Sequence, residues 1–198
     1  VLADVGGGEA VDRLAAPQKR DRVERLLVSG AQAGDDLDND DAVQLAAHTG
    51  ALSLQYHASA STHATFTDYP HSWTGERIEC PVMRGDDFLA REGIREVDFL
   101  KLDVEGAEHL VLQGLENHLR DQRVRFVQFE YGRVNILTHF LLRDFYELFA
   151  TYGYVVGKIY PDYVDFRGYD LSDEDFLGPN YLACRAGDEA LRGLNPRT

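Results

Sequence analysis

The clearest pattern of apolar and polar positions lies in the middle of the chain. Residues Val97-Asp-Phe-Leu-Lys-Leu-Asp103-Val104 are apolar on both faces, which is typical of a strand inside a parallel sheet that helices cover on both sides. A helical pattern follows it, with apolar residues near a period of 3.6 as far as Leu119. The run 124–130 then predicts a second strand.

The end of the chain continues this alternation. A helix is predicted over 136–152, with Gly153 as its C-cap. Strands are predicted at 154–160 and 180–185, which close the fold as an antiparallel hairpin across a long loop. The order of elements predicts an α/β fold with a doubly wound, mostly parallel sheet and an antiparallel edge strand.

The first half of the chain has weaker patterns. We expect a short strand ending at Asp4, a helix over 9–27, a hairpin of 42–47 and 51–57, a strand at 77–83, and a helical turn at 86–92 ended by Gly93. No internal repeat and no domain boundary are visible, so the 198 residues are expected to form one domain.

Composition narrows the function classes. The formal charge of −14 argues against a nucleic-acid or anionic-membrane surface, which would need a basic patch. Cys80 and Cys184 are expected to be buried free thiols in a reducing cytoplasm, since no spacing suits a zinc site. No run is long enough to span a bilayer, and no signal peptide is recognised, so a cytoplasmic protein is expected.

Acidic residues follow two of the predicted strands. Asp103 ends one strand and Glu130 ends the next, and in open α/β sheets ligands bind at this carboxyl edge. A carboxylate there can accept a proton, orient a hydroxyl or bind a divalent cation, although nothing in the sequence requires a metal. Glu105 and Glu108 have a simpler interpretation, as acids that complement the dipole of the following helix.

A glycine turn near the start of the chain is a candidate cofactor site. Asp4-Val-Gly6-Gly7-Gly8 would let backbone amides approach a ligand, although it does not match GxGxxG and could be a plain flexible loop. Glu24, twenty residues after Asp4, is the candidate partner for a ribose, and could equally lie in a helix.

The motifs resemble those of the FkbM-type methyltransferases. The resemblance is carried by Val97 to Glu108, Val111-Leu-Gln-Gly114-Leu, Asp86-Asp-Phe-Leu, Val127-Gln-Phe-Glu130-Tyr and Asn180-Tyr-Leu-Ala. It covers residues 77–185 best. In the first 76 residues Gly7-Gly8 depart from the family pattern and no Phe-Glu-Pro triplet occurs, so either this half has diverged or residues are missing from it.

This resemblance implies a class I methyltransferase with a seven-stranded, Rossmann-like sheet. It implies S-adenosylmethionine as the cofactor, near Asp4, Gly6, Gly8 and Glu24, and a hydroxyl of a sugar or natural product as the acceptor. We expect Asp103 at the reacting centre and Glu130 beside it, orienting the acceptor.

Two other functions stay open at this point. A degenerate glycine turn is compatible with a non-catalytic binding module that keeps the fold without the cofactor. A nicotinamide-dependent oxidoreductase is a weaker alternative, because the full glycine spacing is absent. The acceptor and the oligomeric state are not determined by the sequence.

Overall fold

The computed structural model describes residues 25–29, 44–56, 76–177 and 180–194. The strands are β1 (Arg25–Ser29), β2 (Gln44–Ala46), β3 (Gly50–Tyr56), β4 (Glu76–Arg84), β5 (Val97–Asp103), β6 (Val124–Glu130), β7 (Tyr154–Ile159), β8 (Val164–Phe166) and β9 (Asn180–Arg185). The helices are α1 (Gly85–Arg91), α2 (Glu108–Gly114), α3 (Glu116–Arg120), α4 (Val134–Thr138), α5 (Leu142–Thr151) and α6 (Ala190–Leu194), with a 3₁₀ turn at Leu171–Asp173.

The main sheet has six strands among the described residues, in the order β1-β5-β6-β9-β7-β8. β1, β5 and β6 are parallel to one another, whereas β9 is antiparallel to both of its neighbours, β6 and β7. The fold is therefore mixed α/β, as predicted. The seven-stranded sheet is not present in the described part of the chain.

Two details of the predictions are wrong. The described sheet is not mostly parallel, because three of its five pairings, β6-β9, β9-β7 and β7-β8, are antiparallel. The predicted antiparallel edge strand is present as β8. In addition, residues 25–27 belong to β1, where the sequence pattern favoured a helix. The backbone pairing of β1 with β5 decides this conformation, and pairing with a distant strand overrides local propensity.

A separate three-stranded sheet has the order β2-β4-β3. The predicted hairpin of 42–47 and 51–57 is wrong, because β2 and β3 each pair with β4 and not with each other. Strand content in this region is nevertheless as predicted, including β4, which contains the predicted strand at 77–83. The alternation of residue types indicates that a segment is a strand but does not name its partner.

Both long helical patterns are divided in two. The helix predicted to end near Leu119 breaks at Leu115, which follows Gly114 and separates α2 from α3. The helix predicted over 136–152 breaks at His139, whose φ of 56° ends α4. Gly153, with a φ of 78°, follows α5 as the predicted C-cap.

The core lies on both faces of the main sheet. On one face Phe129 stacks with Phe145 and Phe149 of α5, at centroid distances of 4.5 and 5.5 Å. On the other face Phe126 packs with Leu182 in a smaller cluster. The prediction that β5 and β6 are apolar on both faces is thus confirmed.

Two glycines allow the small sheet to approach α2. A Cβ on Gly114 would lie 2.0 Å from the backbone oxygen of Ala46, and one on Gly85 would lie 2.6 Å from Cγ of Leu115. The close approach of these elements depends on the missing side chain, since backbone cannot move aside as a flexible side chain can. Gly114 of the family-like motif therefore has a packing role.

Cys80 and Cys184 are both free and buried, as predicted. Within the described ranges, no helix combines the length and apolar character needed to cross a membrane.

Candidate active site

Asp103 and Glu130 end two neighbouring parallel strands. Lys101 of β5 lies opposite Gln128 of β6. Two residues further along each strand, on the same face, Asp103 lies beside Glu130. β1 ends at the same place, where Ser29 pairs with Asp103. The two predicted acids are therefore brought together at the carboxyl edge of the sheet.

Asp103 forms an ion pair with Lys101 of the same strand. The Lys101 Nζ lies 3.1 Å from Oδ2 of Asp103, and both side chains are partly exposed. Residues two apart on a strand point to the same face, which explains the pairing. Lys101 thus finds its ion-pair partner within its own strand. The Asp103 carboxylate remains accessible at the end of that strand.

Glu130 is an acid whose neighbours favour its protonated form. Partial desolvation at the strand end raises the pKa of Glu130, although the residue is exposed, and the negative charges of Asp103 and Glu105 raise it further, while Lys101 lowers it. A hydrogen bond with the Asp103 side chain also favours the proton on Glu130. Of the two acids, Asp103 is the one paired with a cation, and Glu130 is the one whose surroundings favour a proton.

The chain reverses sharply after Asp103. Glu105 and Gly106 both have positive φ, of 51° and 95°, and the Ala107 N–H donates to the Val104 carbonyl at 3.2 Å. These angles are those of a type I′ turn, and a non-glycine residue in the left-handed region is strained. The acid edge is thus built on a tight, strained turn.

Glu108 does not behave as the simple helix-dipole acid that the sequence suggested. Its side chain is only 1% exposed, and Oε1 accepts a hydrogen bond from the Val104 N–H at 3.1 Å. Its Oε2 is buried and finds no hydrogen-bond partner in the described chain. Burial, with smaller contributions from Glu130 and Glu105, raises the pKa of Glu108 to about 7.

His109 lies beside this turn and packs against an aromatic ring. Its imidazole stacks on Phe140 at a centroid distance of 4.8 Å. Burial lowers the pKa of His109, which favours the neutral ring. His109 therefore has a packing role.

A cavity of about 580 Å³ lies at the opposite end of the sheet. It is lined by Tyr146, Tyr154, Val156, Phe166, Arg167 and Arg192. β7 is parallel to β6, because both are antiparallel to β9, so Tyr154 at the start of β7 lies at the amino edge. This cavity is therefore separate from the acid edge, where ligands of open α/β sheets bind.

Comparison with known proteins identifies the family. The family model described as the Methyltransferase FkbM domain matches residues 6–156. The chain belongs to this family.

A curated relative matches a short part of the FkbM domain. The 31-O-demethyl-FK506 methyltransferase FkbM of Streptomyces tacrolimicus is 48% identical over 44 residues, which are 22% of this chain and 17% of that protein. The matched segment thus spans less than a fifth of the relative's length. No solved structure matches the chain.

The family match also bears on the first half of the chain. It begins at residue 6, so it includes part of the segment where the sequence resemblance was weakest. The predicted cofactor residues Asp4, Gly6, Gly8 and Glu24 lie outside the residues that the structure describes. Their role stays a prediction.

In the parts of the chain that the structure describes, no group of three or more His, Cys, Asp or Glu residues could hold a metal ion. The acids of the carboxyl edge are held by Lys101, by each other and by a backbone amide. A divalent metal in this FkbM domain remains without support.

A second acidic centre was missed by the sequence reasoning. Glu174 accepts hydrogen bonds from the hydroxyls of Tyr131 and Tyr169, and from the backbone N–H groups of Leu142 and Arg143 at the start of α5. These hydrogen bonds hold the long loop after β8 against the end of β6. No local pattern marks Glu174, because three of its four donors come from the end of β6 and the start of α5, far away in the chain.

Asp86, in the family-like segment before β5, is also an anchor. It accepts from the backbone N–H groups of Asn117 and His118 at 3.1 and 3.2 Å, and from His118 Nδ1 at 2.6 Å. Arg84 lies 2.7 Å away on the same carboxylate. The sequence motif around Asp86 is therefore explained by its contacts with α3.

Proposed function

We propose that this FkbM domain transfers a methyl group from S-adenosylmethionine to a hydroxyl oxygen of a sugar or natural product. The family supports methyl transfer, and the printed name of the relative supports oxygen as the acceptor atom. The seven-stranded, Rossmann-like form of the sheet belongs to the same proposal. The observation that carries it is the Asp103–Glu130 pair at the carboxyl edge.

The described residues fit the cofactor that the family implies. S-adenosylmethionine supplies an electrophilic methyl group on a cationic sulfonium. Asp103 and Glu105 both raise the pKa of Glu130, so acidic groups gather at this edge beside Lys101. Acidic groups beside a cation lower its energy in a partly dehydrated site.

Asp103 is the residue proposed to accept the proton of the acceptor hydroxyl. An alcohol oxygen attacks poorly until a base removes its proton, and a carboxylate at hydrogen-bond distance serves this purpose. Asp103 is partly exposed at the strand end, so an acceptor can approach it. Its ion pair with Lys101 keeps the carboxylate oriented along the strand.

Glu130 is proposed to orient the acceptor. In its protonated form it donates to Asp103, and the same carboxyl offers an oxygen that a hydroxyl of the acceptor can hydrogen-bond. Alignment of the reacting atoms provides much of the rate in such a transfer, because the methyl donor is already reactive.

The first experiment is a screen for methylated product. The protein is incubated with S-adenosylmethionine and hydroxylated sugars or polyketides, and mass spectrometry detects a gain of about 14 daltons, the increment for one methyl replacing one hydrogen. Calorimetry with S-adenosylmethionine runs in parallel. An intact protein that neither binds the cofactor nor yields product contradicts the proposal and favours a non-catalytic binding module.

The second experiment tests Asp103. Asp103→Asn keeps the size of the side chain but removes the base, so we expect kcat to fall by roughly 10²–10⁴-fold. Asp121→Asn is the control, since Asp121 is an exposed acid paired with Arg123 away from the edge. If Asp103→Asn retained the wild-type kcat while remaining folded, Asp103 would not be the base.

A further inference from the structure

We propose that Glu108 is a positioning residue for the Asp103–Glu130 pair, acting through its hydrogen bond with the Val104 amide. The inference rests on the proposed function, because it assigns a role in presenting the reacting acids. Glu108 itself is buried and touches no solvent-filled space where an acceptor could bind.

The first step of the argument is the position of Val104. β5 ends at Asp103, so the next residue has no partner strand for its amide. Val104 is buried, and its N–H would be left without an acceptor if Glu108 did not supply one. A buried amide without a partner destabilises the fold, because it has lost its hydrogen bonds to water without replacement.

The second step is the double closure of the turn. The Val104 carbonyl accepts from the Ala107 N–H, and the Val104 N–H donates to Glu108, so both polar groups of this one residue are tied to the start of α2. Glu105 and Gly106 between them have left-handed backbone angles. Such angles persist only where neighbouring contacts hold them.

The third step fixes the turn from outside. A Cβ on Gly106 would lie 2.7 Å from Cγ2 of Val134, so α4 packs directly against the turn. Because α4 packs on one side of the turn and the Glu108 carboxyl binds on the other, the backbone that follows Asp103 has little conformational freedom. The orientation of the Asp103 side chain depends on this backbone.

The fourth step concerns the form in which Glu108 acts. The charged groups that face it are Glu130 at the end of β6 and Glu105 in the turn, both acidic, while the nearby cation Lys101 pairs with Asp103. A buried carboxyl among acids, with one oxygen unpartnered, is more stable when neutral. Neutral Glu108 needs only its acceptor oxygen to hold Val104.

Two variants of similar size separate the hydrogen bond from the charge. Glu108→Gln keeps an acceptor oxygen and is uncharged, whereas Glu108→Met keeps the length and volume but removes the acceptor. Glu116→Gln is the control, because Glu116 is an exposed acid at the start of α3 that pairs with Arg120.

We expect Glu108→Gln to keep kcat within about twofold of the wild type. Glu108→Met should lower kcat by about tenfold or more, with the KM values for cofactor and acceptor changed by less than about threefold, because misplaced reacting groups slow the chemical step. A purely structural role would affect the amount of folded protein and would not produce this split between kcat and KM.

A second readout does not depend on an acceptor. Hydrogen exchange of the Val104 amide, measured by NMR, should be as slow in Glu108→Gln as in the wild type, and about tenfold or more faster in Glu108→Met. If Glu108→Gln lost Val104 protection, or if Glu108→Met kept wild-type protection and kcat, the positioning role would be wrong.

These readouts distinguish the two proposals. A wild-type protein that methylates no acceptor would contradict the proposed function, and the exchange of Val104 would still test the hydrogen bond. An active wild type with an equally active Glu108→Met would contradict the positioning role and leave methyl transfer intact.

Discussion

Two kinds of acidic residue occur in this FkbM domain, and their partners differ. Asp86 and Glu174 are each surrounded by donors: helix N–H groups, tyrosine hydroxyls, a histidine and an arginine. The acids of the carboxyl edge raise one another's pKa, and Lys101 lies beside them. The first arrangement stabilises the fold, whereas the second favours retention of protons and is the one that we propose to be reactive.

This difference separates structural acids from candidate catalytic acids without reference to any motif. Carboxylates with several donors hold distant segments together. Carboxyls that face one another favour the protonated form, and such pairs are typical of sites that exchange protons. Four experiments test this distinction.

The largest effect on stability is expected from the anchor Asp86. Asp86→Ala leaves Arg84, His118 and two helix N–H groups without their acceptor, and should lower the free energy of unfolding by roughly 3–5 kcal/mol. Chemical denaturation measures it. Asp87→Ala, at an exposed neighbour on α1, loses only one exposed hydrogen bond from Thr49 and should cost about 1 kcal/mol or less. Equal costs for the two variants would contradict the anchoring role.

Glu108 should make the fold less stable as the pH rises. Its pKa rises from 4.5 in the unfolded chain to about 7 in the fold, so its contribution to stability is fully present below pH 4.5 and is lost as the pH rises to about 7. At about 1.4 kcal/mol per pKa unit, the loss is about 3 kcal/mol. Denaturation of wild type and Glu108→Gln across this range isolates the effect, since other groups contribute equally. Parallel stability curves would contradict the buried, neutral Glu108.

A smaller effect is expected at the second anchor. Glu174→Gln keeps one acceptor oxygen but removes the charge at the start of α5, and should lower the free energy of unfolding by about 2 kcal/mol. Glu189→Gln serves as the control for a charge change near the end of the chain. If Glu174→Gln changed kcat per folded molecule more than stability, Glu174 would belong to the reacting site and the comparison would fail.

The smallest effect concerns the strained turn. Gly106→Ala and Gly93→Ala both place a side chain at positive φ. A Cβ at position 106 would also press against Val134, whereas a Cβ at position 93 would meet no neighbour. We expect Gly106→Ala to lower the free energy of unfolding by about 1 kcal/mol more than Gly93→Ala, because it adds a steric clash to the backbone strain that both variants share. Thermal unfolding measures the difference, and equal costs would mean that Val134 moves aside freely.

The sequence predicted the strands of the acid edge almost to the residue. β6 and β9 have the predicted bounds, and β5 lies within the predicted run, because their apolar runs are short and clearly bounded. The pattern did not reveal β8, which has three residues inside an aromatic loop. It also could not show the breaks at Leu115 and His139, where packing rather than periodicity ends a helix.

The sequence by itself determined the α/β class, the apolar strands β5 and β6, and the placement of Asp103 and Glu130 at their ends. These features depend on local order, since a strand's end and its last residue are adjacent in the chain. Only the tertiary structure decided which strand lies beside which, that Glu108 reaches back to Val104, and that Glu174 joins three segments. Such contacts depend on how separate elements pack, and a linear pattern of residue types carries no information about those distances.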